Sequence, residues 1–216
     1  MKKNIFLLIF LQLAFVAAFS QVNYGLRFKS KEVITKDRTG LDITFNGPIS
    51  YQNSFKIQFD ISFRNYRDFG YIFRLKELKS GNQIDLICKL DEASPGFYLV
   101  LNKKETEAKI KLNQLILEPT NEWNKLEAEF NSKTGIIQLC FGGEKISEKI
   151  KFPSNSEFVL AFGVVNNYGF ETKEVPYISL KDISIDIDGK PKYFWPLNSH
   201  CGSLIIDTIN NKQATI

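Results

Sequence analysis

The stretch Phe55-Lys56-Ile57-Gln58-Phe59-Asp60-Ile61-Ser62-Phe63 alternates apolar and polar residues without a break. Successive side chains of an extended chain point to opposite faces, so the five apolar residues share one face and the polar four share the other. One buried face and one wet face is the pattern of an antiparallel sheet packed on a core. Further candidate strands lie at 24–28, 41–45, 69–75, 84–90, 97–101, 126–130, 136–141, 158–164 and 178–187. Between them sit Asn46-Gly47-Pro48, Ser80-Gly81-Asn82, Ser94-Pro95-Gly96, Lys133-Thr134-Gly135, Gly142-Gly143 and Asp188-Gly189. Gly and Asn accept the positive φ that tight hairpins demand. About ten strands at this spacing, none followed by an amphipathic helix, predict an all-β, two-sheet antiparallel sandwich of jelly-roll type. Residues 103–112 are charged enough to read equally as a solvated hairpin or a short helix.

The chain begins with Lys2-Lys3, an apolar run from Ile5 to Val16 broken only by Gln12, and Ala18-Phe19-Ser20. Basic start, short apolar run and small residues at a cleavage site form an export signal, so residues 1–20 are expected to be removed. The run is shorter than the ~20 residues a spanning helix needs, and no later segment could span a membrane. The product is expected in the periplasm, at the cell surface or outside the cell. About 196 of the 216 residues remain, enough for one large β domain at 21–197. The formal charge of +4 falls to +2 once Lys2 and Lys3 leave. No basic run marks a nucleic-acid footprint. Cys88, Cys140 and Cys201 are odd in number, so at least one stays outside any intrachain disulfide. Cys88 alternates with Ile84, Leu86 and Leu90 and reads as a small core residue.

After Gly189, Tyr193-Phe194-Trp195-Pro196-Leu197 reads as one aromatic strand ended by its proline. Residues 198–216 read as loop and extended chain, a C-terminal extension or the start of a connection to a further domain.

Several of these stretches resemble one family. Phe55-Lys56-Ile57-Gln58-Phe59-Asp60 with Phe69-Gly70-Tyr71-Ile72-Phe73-Arg74, Trp123-Asn124-Lys125-Leu126 with Gly135-Ile136-Ile137-Gln138-Leu139, and Val175-Pro176-Tyr177-Ile178-Ser179-Leu180-Lys181-Asp182-Ile183 carry the resemblance, with Trp195-Pro196-Leu197, Gly202 and Asp207. They are similar to the concanavalin A-like, laminin-G-like N-terminal domain of exported Bacteroidetes proteins, which in longer members precedes a Kelch-type β-propeller. The resemblance implies the sandwich fold and a β-propeller or other domain as partner. Its motifs are strand and turn chemistry and specify activity poorly.

Glycan-cleaving sandwiches set carboxylates across the scissile bond. A Glu-x-Asp-x-x-Glu spacing, which would aim three acids into one groove, is absent. Asp182, Asp186 and Asp188 come nearest, but Ile183, Ile185 and Ile187 make the core face of that strand and put the acids on its wet side and in a turn. His200 is the only histidine, so neither a catalytic triad nor a zinc site can be assembled with neighbours of the usual kind. No residue is assigned a catalytic or metal-ligating role. Calcium is a minor expectation, from Asp37, Asp42, Asn166 and Asn167. A sugar site needs an aromatic platform beside polar groups. Asn166-Asn167-Tyr168-Gly169-Phe170 and Arg64-Asn65-Tyr66-Arg67 have that composition and could share one rim. The candidate ligand residues are therefore Asn166, Asn167, Tyr168, Arg64 and Tyr66. The competing reading is that Tyr168 and Phe170 cover the core and the asparagines make turns. The functional expectation is an exported, non-catalytic binding domain for a glycan. Its rivals are a module that packs against a propeller and, with less support, a glycoside hydrolase.

Overall fold

The computed structural model describes residues 24–64, 68–90, 95–112, 122–170, 173–198 and 202–216. The expected leader, Tyr66, His200 and Cys201 lie outside them. The strands are β1 (Leu26–Arg27), β2 (Gly40–Asp42), β3 (Ile49–Tyr51), β4 (Ser54–Phe63), β5 (Phe69–Glu77), β6 (Gln83–Lys89), β7 (Gly96–Leu101) and β8 (Lys104–Lys111). They continue with β9 (Asn124–Asn131), β10 (Ile136–Phe141), β11 (Glu144–Lys149), β12 (Ser156–Gly163), β13 (Ile178–Ile187), β14 (Lys190–Trp195), β15 (Leu204–Ile206) and β16 (Gln213–Thr215). A single 3-10 turn, Thr35–Asp37, is the only helical element among the described residues.

Two antiparallel sheets face each other, as the alternation predicts. One runs β1-β13-β4-β9-β10-β11, with β14 following β1 beside β13. The other runs β15-β16-β2-β12-β5-β6-β7-β8, with β3 beside β12. Phe55, Ile57, Phe59, Ile61 and Phe63 are all at most 3% exposed and form the spine of the core. Aromatic rings knit the sheets together across it: Phe55 meets Phe158 at 4.3 Å and Phe59 meets Phe162 edge-on at 5.3 Å. Cys88 lies within this core. Cys140 on β10 is a half-exposed free thiol.

The apolar parity of β13 changes along its length. Ile178 and Leu180 are buried at even positions, Ile183 and Ile185 at odd ones. A bulge between Lys181 and Ser184 absorbs the extra residue, with Asp182 at φ +51°. Residues 103–112 resolve as the second arm of the β7–β8 hairpin, whose turn residues Asn102 and Lys103 both have positive φ.

The tail differs from its sequence reading. Residues 204–215, expected as loop and extended chain, form the β15–β16 hairpin, and Thr215 pairs with Asp42 of β2. Ala214 is completely buried in the core, and the Trp195 indole donates to the Lys212 carbonyl at 3.2 Å. Asp207, also completely buried, accepts backbone N–H bonds from Phe194, Ile209, Asn210 and Lys212, each at 2.9 Å. One side chain thus satisfies four backbone donors and ties the hairpin to β14.

Candidate functional site

Of the predicted ligand residues, Arg64 follows β4, Asn166, Asn167 and Tyr168 follow β12, and Tyr66 lies outside the described residues. Arg64 binds its own chain: it donates to the carbonyls of Phe28 and Ile178, lies 3.6 Å from Glu32 and stacks over Tyr177. It ties β1 and the start of β13 to β4. Burial, with Arg27 nearby, draws its pKa down, and Glu32 opposes that.

Residues 164–170 leave β12 and fold back across the outer face of the nine-stranded sheet. Phe170 is fully buried there with Val159, Ala161 and Val165. Asn166 is exposed. Asn167 donates to Asp42 at 3.1 Å, and the Tyr168 hydroxyl reaches the same carboxylate at 3.0 Å. Burial, with Asp42 alongside, pushes the Tyr168 hydroxyl pKa up. No hydrogen bond, ion pair or ring contact joins Arg64 to this loop among the described residues.

Asp42 and Asn167 do meet, as a calcium site would require, but with the wrong polarity. The Asp42 carboxylate faces donors, the Thr44 amide at 2.9 Å, the Asn167 amide and the Tyr168 hydroxyl, whereas a cation needs converging lone pairs. Among the described residues no group of three His, Cys, Asp or Glu could hold a metal. These residues do not fit calcium.

The outer faces also carry ion pairs. Arg74 on β5 and Asp85 on β6 are cross-strand neighbours and form a bidentate pair at 3.0 and 3.1 Å, supported by Gln83 at 2.8 Å. The Arg74 guanidinium lies between the rings of Tyr71 and Phe170, so it props the 164–170 loop. On the other sheet Asp186 pairs with Lys56 at 3.5 Å, and Asp60 and Asp182 both approach Lys181. The strand carrying Asp182 and Asp186 keeps its isoleucines inward, as the alternation requires.

A large cleft opens at the other end of the sandwich, where β4 and β12 begin. Its volume is about 1180 Å³. Ser50 and Gln52 form one wall, Leu78 and Lys79 after β5 and Asn155 and Glu157 at the start of β12 form the next, and Asp188, Lys190, Lys192 and Tyr193 of the β13–β14 hairpin close it. Lys192 and Tyr193 also line an adjoining recess of about 400 Å³ with Asn46, Asn210, Asn211, Lys212 and Gln213.

The walls are held by two acids, Asp188, which is half-buried, and Glu77, which is fully buried. Asp188 accepts the backbone N–H groups of Gln52, Asn53 and Ser54 at 3.1, 2.7 and 2.9 Å, which fixes the hairpin to the β3–β4 turn. Burial would raise its pKa, but these three bonds outweigh that and hold it below the usual aspartate value. Glu77 does the same beneath the β5–β6 turn. Burial opposes its ionisation, yet bonds from the Ser156 and Ser80 hydroxyls and the Ser80 and Lys79 amides keep its pKa low. Tyr193 stacks on the fully buried Trp195 at 5.6 Å and 25°, so its ring is braced from behind. Lys79, Lys190 and Lys192 are exposed and make no side-chain hydrogen bond or ion pair among the described residues.

Sequence reasoning missed this cleft because its residues come from five separated stretches. The local signal was present: Asn210, Asn211 and Tyr193 are the same residue types that drew attention to residues 166–168.

No family model matches the chain, and no curated protein does. Solved structures do. A candidate carbohydrate-binding protein from Bacteroides ovatus superposes with a TM-score of 0.53 at 13% identity, over 90% of this chain and 58% of that one. The extracellular region of zebrafish Gpr126/Adgrg6 superposes at 0.50 and 13% identity, over 90% of this chain and 25% of that one. Carbohydrate-binding module CBM66 from Bacillus subtilis gives 0.40 at 14% identity, over 64% of this chain and 77% of that one. This chain therefore spans little more than half the length of the Bacteroides ovatus protein. At these identities the first two show a shared fold alone, the two-sheet antiparallel jelly-roll sandwich.

Proposed function

We propose that this chain is an exported, non-catalytic domain that binds a glycan in the cleft between β3, the start of β12 and the β13–β14 hairpin. One observation carries the reading. Tyr193, braced by Trp195, lies beside exposed amides and ammonium groups in a rigid concave site. An aromatic face with convergent polar groups is what a sugar ring requires. The candidate carbohydrate-binding protein from Bacteroides ovatus supports the reading by fold analogy.

Of the two carboxylates in the cleft, Asp188 is bound to three backbone amides and held ionised, which suits an anchor better than a proton donor. Glu157 accepts from the Ser50 hydroxyl at 2.9 Å. Glycan-panel binding by the chain from residue 21 onward tests the proposal. The expected result is saturable binding to at least one glycan class with no release of reducing ends. Turnover abolished by Glu157→Gln would convert the site to a catalytic one.

The rival reading, a module that packs against a C-terminal β-propeller, is favoured by a different feature. Leu204 and Ile206 stand 46% and 50% exposed on the edge strand β15, with Ile216 beside them. A folded chain that binds no glycan would leave this reading standing.

A further inference from the structure

Lysines from separate parts of the chain converge on one cleft. Lys79 comes from the turn after β5, Lys190 and Lys192 from β14, and Lys212 from the segment before β16. Lys79, Lys190 and Lys192 line the main cleft with Glu157 and Asp188, and Lys192 and Lys212 line the recess, which has no acid in its wall.

Among the described residues the two acids of the cleft form no ion pair with these lysines, and only Lys212 has other acids, Asp42 and Asp207, acting on it. Asp188 is directed at the amides of residues 52–54, and Glu157 at Ser50. Outside the cleft the same residue type pairs with acids: Lys31 with Asp68, Lys56 with Asp186, Lys89 with Glu105. Lys212 is held differently. It donates to the Gly47 carbonyl at 2.8 Å with its ammonium 6.0 Å from the centre of the Tyr193 ring, which fixes a positive charge next to the aromatic surface.

Resting on the glycan-binding reading above, we propose that the ligand of this cleft is an anionic glycan, one that carries carboxylate or sulfate groups along its chain. Tyr193 supplies the stacking face, and Lys79, Lys190 and Lys192 supply the charge selection. The main cleft and its recess together exceed the ~300–1,000 Å³ of a typical small-molecule pocket, so the site takes a run of sugar residues. Cationic walls around a concave site focus the field on an incoming polyanion and speed its capture.

The test uses the chain from residue 21 onward and oligosaccharides of equal length from three classes: a neutral β-glucan, a polyuronate and a sulfated galactan. Affinity is measured by titration calorimetry at two salt concentrations. At least one anionic class should bind tenfold or more tightly than the neutral glucan, and its affinity should fall as salt rises. Preference for the uronate or for the sulfated chain identifies the acidic group. Lys190→Gln with Lys192→Gln should weaken anionic binding about tenfold, equivalent to ~1.4 kcal/mol, and leave the melting temperature nearly unchanged. Arginine at both positions should restore binding. Equal affinity for neutral and anionic chains would overturn the charge inference and leave the glycan reading intact. Failure of a folded protein to bind any class would remove both. Binding to an oligonucleotide of the same length as tight as to the best glycan would show general polyanion capture and also sink the proposal.

Discussion

Phe59 lies between the sheets, 1% exposed, with Phe73 and Phe162 edge-on to its ring. Truncation to alanine there leaves a cavity that a rigid aromatic core cannot close, and should cost ~3–5 kcal/mol in urea denaturation. A loss below about 1 kcal/mol would place that face in solvent and contradict the register. This residue is legible from sequence because alternation is a local property. Asp188 is not. The Asp-Gly pair predicts a turn, and the turn is present at φ +51° and +77°, but the backbone groups its carboxylate binds are more than 130 positions away. Asp188→Ala should cost about 1.5–3 kcal/mol, the range for hydrogen bonds to a charged group. The pH dependence has a definite sign. The folded state holds the Asp188 pKa below its ordinary 3.8, so its contribution is complete above that value and disappears as pH falls through the lower, folded one. Parallel urea titrations should therefore show the gap between wild type and variant closing under strongly acidic conditions. A gap independent of pH would show that the loss comes from packing.

At the scale of elements, strands with one clean apolar face could be read, and strands lacking one could not. Glu144–Lys149 has a single inward-leaning apolar residue, Ile146, and forms an edge strand through its pairing with β10. The β13 bulge was recoverable, since isoleucine and leucine at 178 and 180 change parity to isoleucine at 183 and 185. The tail was opaque for a physical reason. Leu204 and Ile206 point outward, only Ile205 and Ala214 lean on the core, and a two-stranded hairpin of three-residue strands is too short to be stable by itself. Removal of residues 199–216 should uncover Trp195, leave the Phe194 N–H and the Trp195 indole N–H without their partners, and delete the recess wall carrying Asn210 to Gln213. We expect a marked fall in melting temperature and a tail that resists limited trypsin digestion, including at Lys212. Rapid cleavage at Lys212 that left an equally stable core would show that the hairpin is an appendage.

At the scale of the whole molecule, the sandwich offers two aromatic-polar surfaces, and the local composition at residues 166–170 and around Tyr193 is nearly interchangeable. Packing separates them. Tyr168 turns its hydroxyl onto the buried Asp42 carboxylate, and its loop lies across a sheet face through Phe170, so its polar groups are engaged within the fold. Tyr193 stacks on Trp195, has the Lys212 ammonium 6.0 Å from its ring centre, and lines the cleft. The two tyrosines should therefore fail in different ways. Tyr168→Phe removes a donor from a buried carboxylate and should lower stability by about 1–3 kcal/mol, with glycan affinity unchanged. Tyr193→Ala removes the stacking surface and should weaken glycan binding about tenfold or more, at a smaller cost in stability. Denaturation and calorimetry on the same two proteins separate the outcomes. If Tyr168→Phe abolishes binding while Tyr193→Ala retains it, the ligand lies on the outer face of the nine-stranded sheet, and the cleft at the β13–β14 hairpin is a consequence of how the two sheets diverge.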